Sequence, residues 1–171
     1  MTERTDVRFE QRMLIDGALV EGQAGTFGVL NPATEEVLGE VADASKADMH
    51  RAIDAARRAF DETDWSTNHA FRARCVRQLY EAMKAEAEQL RSIVVHEAGA
   101  CVSLTGYMHV DDPIEMVAYW AEKAEGYPYE QAMSDIPFLG RQHQRTLRRE
   151  AVGVVGAITP VSYRHLRAHE T

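Results

Sequence analysis

The run AVGVVGAIT, residues 151–159, constrains the fold of this chain more than any other stretch. It is apolar without alternation, which is typical of a strand covered on both faces, as in a parallel sheet between helices. Such a strand needs parallel neighbours, and each neighbour is reached through a crossover of about a dozen residues or more. Only eleven residues follow Pro160. We therefore expect the companion strands of this sheet to lie beyond residue 171.

Composition and charge exclude several classes of protein. The 171 residues are 45% hydrophobic and 27% charged, which fits one globular unit or a large piece of one. No apolar run approaches the roughly 20 residues of a membrane helix, and the charged start MTERTDVRFEQR does not resemble a signal peptide. The formal charge of −8 opposes binding to nucleic acid or to an anionic membrane. We expect a cytoplasmic protein with both cysteines reduced and without nucleic-acid or membrane partners.

Two pairs of short strands are predicted near the amino terminus. Asp16-Gly17 tolerates the positive φ angles of a two-residue hairpin turn, and apolar triplets flank it at residues 13–15 and 18–20. A second pair, residues 27–30 and 37–41, is separated by the turn sequence NPATEE. These strands predict a small antiparallel sheet whose apolar side needs a partner.

Three helices are predicted to supply that partner. The first begins after Ser45, which forms a capping-box pattern with Asp48, and its apolar stripe is Met49, Ile53, Ala56 and Phe60. The second is one long helix whose stripe runs from Phe71 to Val94, ending near Gly99. The third has Asp112 as its N-cap and Pro113 at its first position, and ends at Gly126.

After the third helix we predict a loop through YPYEQAMSDIPFLG and then a polar strand or ribbon at residues 142–149. The ribbon lies within RQHQRTLRRE, whose arginines suggest either anion binding or an exposed strand that basic side chains protect from edge pairing. The acidic total favours the exposed strand.

Five segments follow one another along the chain: IDGALVEG, NPATEEVLGEVADAS, AIDAARRAF, the long helix ending in HEAGA, and LRREAVGVVGAITP. Their order resembles the amino-terminal part of the aldehyde dehydrogenase superfamily. The resemblance runs from about Met13 to Pro160 and covers about the first third of the family's usual length. Two positions depart from the family: Ala151, where proline is more common, and Glu35, where glycine is frequent.

The resemblance implies an α/β fold, in which a small antiparallel sheet and three helices lead into the first strand of an incomplete Rossmann-like cofactor domain. Residues 1–140 would then be the amino-terminal part of an NAD(P)-binding domain, and residues 141–150 an oligomerisation-type ribbon. Residues 151–160 would form the first strand of the cofactor-binding sheet, and residues 161–171 a non-native tail.

The resemblance also implies a reaction. In the family a cysteine thiolate attacks an aldehyde, the hemithioacetal passes hydride to NAD or NADP, and a glutamate-activated water releases the carboxylic acid. An asparagine that stabilises the oxyanion usually follows the ITP motif as Trp-Asn, but Val161 and Ser162 stand here. The family's cysteine and glutamate lie beyond residue 171. We therefore expect no catalytic residue in this chain, which alone should be inactive.

Three residues can be carried over as cofactor-binding. Ile158, Thr159 and Pro160 match the carboxyl end of the family's first cofactor-domain strand, where ligands collect in open α/β sheets. Gly153 and Gly156 are not a phosphate-binding fingerprint, because they lie inside the predicted strand instead of following it. The aldehyde substrate and a homo-oligomer, dimer or tetramer, belong to the full-length protein.

The tail VSYRHLRAHET is similar, apart from Arg164, to the translated end of a transposase-type sequencing adapter. His165 and His169 have the i,i+4 spacing of two metal ligands, but without a third ligand they predict no metal site.

The other reactive side chains also favour structural roles. Cys75 lies in the apolar stripe of the second helix, and Cys101 has no base that the sequence identifies. His96-Glu97 begins like HExxH, but Ala100 occupies the second histidine position. Two hypotheses remain open: a fragment of an aldehyde dehydrogenase, and a non-catalytic helical interaction module that binds a partner through its exposed strand.

Overall fold

The computed structural model describes residue 7 and residues 9–158. Its first hairpin pairs β1 (Met13–Ile15) with β2 (Ala18–Val20) in antiparallel register. Asp16 and Gly17 form the turn with φ angles of 56° and 75°, as a two-residue turn with two left-handed positions requires. The predicted hairpin is confirmed.

The second hairpin pairs β3 (Gly25–Leu30) with β4 (Val37–Asp43), and both strands are longer than predicted. The intervening turn is closed by the Asn31 amide, which donates to the Glu36 carbonyl at 2.9 Å. Glu35 takes a φ of 61° in this turn. That left-handed backbone explains why glycine suits this position better than glutamate.

Helix α1 spans Lys46–Glu62 and begins as predicted. Ser45 accepts from the Asp48 amide, while the Asp48 carboxylate accepts from the Ser45 amide at 2.9 Å, so the capping box is complete. The same carboxylate accepts from the amide of Gln23 at 2.9 Å and is buried. These backbone donors, Gln23 first, hold the pKa of Asp48 below its ordinary value. Asp48 therefore ties the start of α1 to the loop between the first two hairpins.

The prediction of one long second helix is wrong. The chain forms a short 3₁₀ turn at Asp64–Ser66, then α2 (His69–Ala85) and α3 (Ala87–Ala98). The break lies at Glu86, whose ψ of 14° leaves the helical range. No glycine or proline marks this position, so the apolar periodicity continues through it. The predicted end is confirmed, because Gly99 caps α3 with a φ of 64°.

The third predicted helix begins two residues earlier than predicted. A short α4 (Val102–Leu104) and a π turn (Thr105–His109) precede α5 (Asp111–Gly126). Val110, and not Asp112, is the N-cap, so Pro113 occupies the third helical position. The predicted end at Gly126 is confirmed.

The third hairpin corrects the prediction of a loop before the ribbon. Strand β5 (Glu130–Phe138) pairs in antiparallel register with β6 (Arg141–Arg148). Leu139 and Gly140 form the turn with φ angles of 50° and 76°. Every residue of both strands is exposed. We call these two strands and their turn, residues 130–148, the arm.

The core of the described region is small. Helix α2 packs against α5, and each contributes a buried small residue, Ala73 and Ala121. Ile114 of α5 is also buried, whereas Met49 of the predicted α1 stripe is 57% exposed. Large apolar faces of the helices therefore remain uncovered by the described residues.

Of the strand predicted at residues 151–159, the described residues 151–158 do not form a strand. Residues 151–158 carry no regular secondary structure, and no described strand pairs with them. The side chains of Val152, Val155 and Ile158 are 90%, 69% and 98% exposed. The physical reason is the one that the sequence indicates: a strand of this type needs parallel neighbours, which the described part of the chain does not provide. Across that same part, no helix is both long and apolar enough to cross a membrane.

Candidate functional site

The structure describes only one of the three predicted cofactor-binding residues. Ile158 is described, and its side chain is 98% exposed. Thr159 and Pro160 lie outside the described residues, as do His165 and His169 of the tail. Assignment of these three residues to a cofactor site therefore stays a prediction.

A cleft of about 530 Å³ lies where the end of α1, the start of α2 and the base of the arm meet. Its wall is mixed: aromatic rings, hydroxyl groups and ion-paired charges. The lining residues are Phe60, Ser66, Thr67, His69, Tyr129, Glu130, Arg148, Arg149, Glu150 and Ala151.

The centre of this cleft is an aromatic stack. The imidazole of His69, at the first position of α2, lies parallel to the ring of Tyr129, with centroids 3.4 Å apart and planes 1° apart. The guanidinium of Arg72 contacts the Nδ1 atom of His69 and also bonds the Trp65 carbonyl. Partial burial, and then the charge of Arg72, lower the pKa of His69. We call His69, Arg72 and Tyr129 the stacked triad.

Charged groups at the rim of the cleft are already paired. Arg148 lies 3.1 Å from a Glu130 carboxylate oxygen and 3.7 Å from a Glu150 oxygen. Arg149 donates at 3.2 Å to the Pro128 carbonyl, and its guanidinium lies 5.5 Å from the ring centre of Tyr127. The ion pairs of Arg148 are exposed and contribute little to stability, but they leave little free charge for a ligand.

The described residues do not assemble a nucleophile with a base. Cys75 is half-buried, as expected for the apolar stripe, and Cys101 is exposed. Neither thiol has a hydrogen-bonded histidine or carboxylate among the described residues. The Nδ1 atom of His96 lies 2.7 Å from the Ser92 carbonyl, which is a contact within one helix. No group of three potential metal ligands forms within residues 9–158.

Sequence reasoning missed the stacked triad. Tyr129 follows His69 by 60 positions, so no local spacing connects the two rings. Asn68 is a local signal for the start of α2, because its side chain caps the Phe71 amide at 2.8 Å. That signal places His69 at a helix start but indicates nothing about its partner.

Comparison with known proteins gives one consistent answer. The model of the "Aldehyde dehydrogenase family" matches residues 19–163. The human cytosolic 10-formyltetrahydrofolate dehydrogenase is 32% identical over 165 residues, which cover 92% of this chain and 18% of that protein. The mitochondrial aldehyde dehydrogenase family 2 member B4 of Arabidopsis thaliana is 32% identical over 157 residues, or 89% of this chain and 28% of that protein.

Solved structures agree. Betaine aldehyde dehydrogenase from Staphylococcus aureus in complex with NAD+ superposes with a TM-score of 0.70 at 30% identity, covering 79% of this chain and 27% of that chain. This chain thus spans less than a third of the length of each of these proteins.

Proposed function

Because this chain belongs to the aldehyde dehydrogenase family, we propose that it is the amino-terminal part of an oxidoreductase that converts aldehydes to carboxylic acids with NAD+ or NADP+. The observation that carries the proposal is the family match over residues 19–163. The similarity to a betaine aldehyde dehydrogenase solved with NAD+ supports it independently through the fold. A small-molecule aldehyde is the substrate class of the complete enzyme.

The described residues do not form a site that fits a nicotinamide dinucleotide. The side chain of Ile158 is 98% exposed, and the two clefts that reach residues 151–158 are lined there by Ala151 and Gly153, without Ile158. The geometry of these residues therefore supports no catalytic step. When bound to the complete enzyme, the cofactor would supply the hydride acceptor.

We propose further that the 171-residue chain alone does not oxidise aldehydes. Acyl-transfer chemistry through a thiol needs a thiolate, a base and donors that stabilise the oxyanion. The half-buried Cys75 and the exposed Cys101 have no such partners among the described residues. The positions at which the family carries Trp-Asn hold Val161 and Ser162.

The arm is proposed to assemble the enzyme into a homo-oligomer, a dimer or a tetramer. Every residue of its two strands is exposed, including Phe138 at 59% and Leu147 at 40%. A two-stranded hairpin with both faces in water is at best marginally stable. Pairing with another surface would therefore stabilise the arm. A second copy of the chain offers the same arm and fits the closed symmetry that most oligomers adopt.

A cytoplasmic location without nucleic-acid partners is proposed as well. The negative formal charge of −8 supports the second part of this proposal. The location is less constrained, because the similar proteins carry both cytosolic and mitochondrial names.

The decisive experiment is to sequence the source DNA beyond codon 160. We expect the reading frame to continue into Trp-Asn and to encode a later cysteine and glutamate. The purified longer product should then reduce NAD+ or NADP+ when an aldehyde is added, and alanine at the later cysteine should abolish this reduction. The 171-residue chain should show no reduction above background.

Two results would contradict the proposal. Turnover by the 171-residue chain would show that it holds a catalytic set. A reading frame that genuinely stops after Thr171 would favour the non-catalytic helical interaction module.

A further inference from the structure

The stacked triad joins parts of the chain that are distant in sequence. His69 belongs to the start of α2, whereas Tyr129 directly precedes the arm. The Tyr129 hydroxyl donates to the Ala124 carbonyl of α5 at 3.1 Å, and the Tyr129 carbonyl accepts from the Arg149 amide at 2.8 Å. Tyr129 is thus held by α5 and by the end of β6, and the His69 ring connects this junction to α2.

The contact with Arg72 favours the neutral form of the His69 imidazole. A guanidinium only donates hydrogen bonds, so the Nδ1 atom that it contacts must be an acceptor. The imidazole is therefore neutral, with its proton on Nε2. A second proton on Nδ1 would point at a cation and remove the lone pair that Arg72 uses.

Among the described residues no carboxylate is hydrogen-bonded to the His69 ring. Helix α2 contributes Arg72, and the end of α1 and the following turn contribute the uncharged Phe60, Trp65, Ser66 and Thr67. The carboxylate of Asp64, in the same turn, accepts from the Asn68 side chain at 2.5 Å. The arm base contributes the Tyr129 hydroxyl together with Glu130, Arg148, Arg149 and Glu150. Both carboxylates there are engaged by Arg148. The charge that acts on the pKa of His69 is that of Arg72, which lowers it.

We propose that His69 is a pH-sensitive latch between α2 and the base of the arm, closed when the imidazole is neutral and stacked on Tyr129, and opened by protonation at Nδ1. Opening separates the Arg72 guanidinium from the ring and releases Tyr129 from the stack. The arm base then loses its contact with α2 but keeps its bonds to α5. The latch does not depend on the proposed activity, because it rests on the contacts among His69, Arg72 and Tyr129 and on no catalytic step.

The direction of the pH dependence follows from the lowered pKa of His69. A histidine whose pKa in the folded chain lies below the ordinary value of 6.5 binds more protons when unfolded. Its stabilising contribution is therefore complete above pH 6.5 and is lost as the pH falls through the lower folded value. The latch is closed at neutral pH and opens in mild acid.

Histidine NMR on the 171-residue chain tests this latch. The ring signals of His69, assigned by their loss in His69→Phe, should titrate with a midpoint below 6.5, and the Tyr129 ring signals should shift with the same midpoint. In His69→Phe, which keeps an aromatic ring but has no titrating nitrogen, the Tyr129 shift in this pH range should disappear. Arg72→Gln, which removes the cation but retains an amide donor, should raise the His69 midpoint.

Hydrogen exchange gives a second measurement. A stack with a purely structural role would not make the exchange of the arm amides depend on the His69 titration. After correction for intrinsic rates, exchange of the arm amides should accelerate as the pH falls through the His69 midpoint in the parent chain and not in His69→Phe. A His69 midpoint at or above 6.5 would overturn the latch. Tyr129 ring signals that do not shift with the His69 titration would also overturn the latch. If His69→Phe does not fold, an unchanged midpoint in Arg72→Gln would refute the latch by itself.

Discussion

The uncovered segment 151–158 should drive association of this chain, and Val155→Lys should weaken it. Val152, Val155 and Ile158 are 90%, 69% and 98% exposed. Burying a valine or isoleucine completely gains about 1.5–3 kcal/mol, so covering all three would contribute roughly 4–8 kcal/mol before the costs of association. Burying the exposed two-thirds of Val155 would contribute about 1–2 kcal/mol to the free energy of association. Val155→Lys should therefore lower the association constant about 5- to 30-fold.

Sedimentation velocity over a range of protein concentrations measures this effect. Thr34→Lys is the matched control, because it makes the same change of charge in an exposed turn that holds no apolar cluster. The reasoning is refuted if both variants associate alike. A parent chain that is a soluble monomer with a sharp, cooperative thermal transition would refute it too.

Three further substitutions test individual features of the fold. Ser45→Ala removes the capping box and should lower the opening free energy of α1 amides in hydrogen exchange by about 0.5–2 kcal/mol, whereas Ser45→Thr should retain most of it. Gly99→Ala places a Cβ 2.9 Å from the Pro32 ring at a φ of 64°, so it should lower the denaturation midpoint of the parent chain. Gly17→Ala should lower this midpoint less, because Gly17 has a similar φ of 75° but open space around it. Ser92→Ala should be neutral or stabilising in the same denaturation assay, because the buried Ser92 hydroxyl has no partner among the described residues. A clear loss of stability in Ser92→Ala would reveal a partner beyond them.

Local signals predicted the elements that local chemistry determines. The Asp16-Gly17 turn, the Ser45 cap and the Gly99 end each depend on a few neighbouring residues and are present as predicted. The family was likewise identifiable, because the order of short segments survives even where single motifs are unspecific. These features needed no knowledge of the tertiary structure.

Tertiary contacts account for much of what the sequence did not reveal. Asp111 accepts from Arg91 at 2.9 Å, a bond between residues 20 positions apart, and α5 begins at Asp111 instead of after Asp112. Strand β5 contains Pro137, which argues against a strand in sequence, yet its pairing with β6 forms one at an exposed edge.

The candidate site was the least predictable part. The stacked rings of His69 and Tyr129 are 60 positions apart in the sequence. No periodic pattern of residues connects them. The cofactor residues were carried over from the family, and only Ile158 of them lies in the described region.

The separation of the strands into three independent hairpins shapes how the chain acquires its structure. Turns of two, six and two residues connect the paired strands, so each pair can close with little loss of chain entropy, on the order of 1–10 μs for hairpins in general. Docking of α2 onto α5 is different, because it must bring together segments separated by α3 and the π turn. We expect this docking to be the slow event in folding, with the hairpins already formed when it occurs.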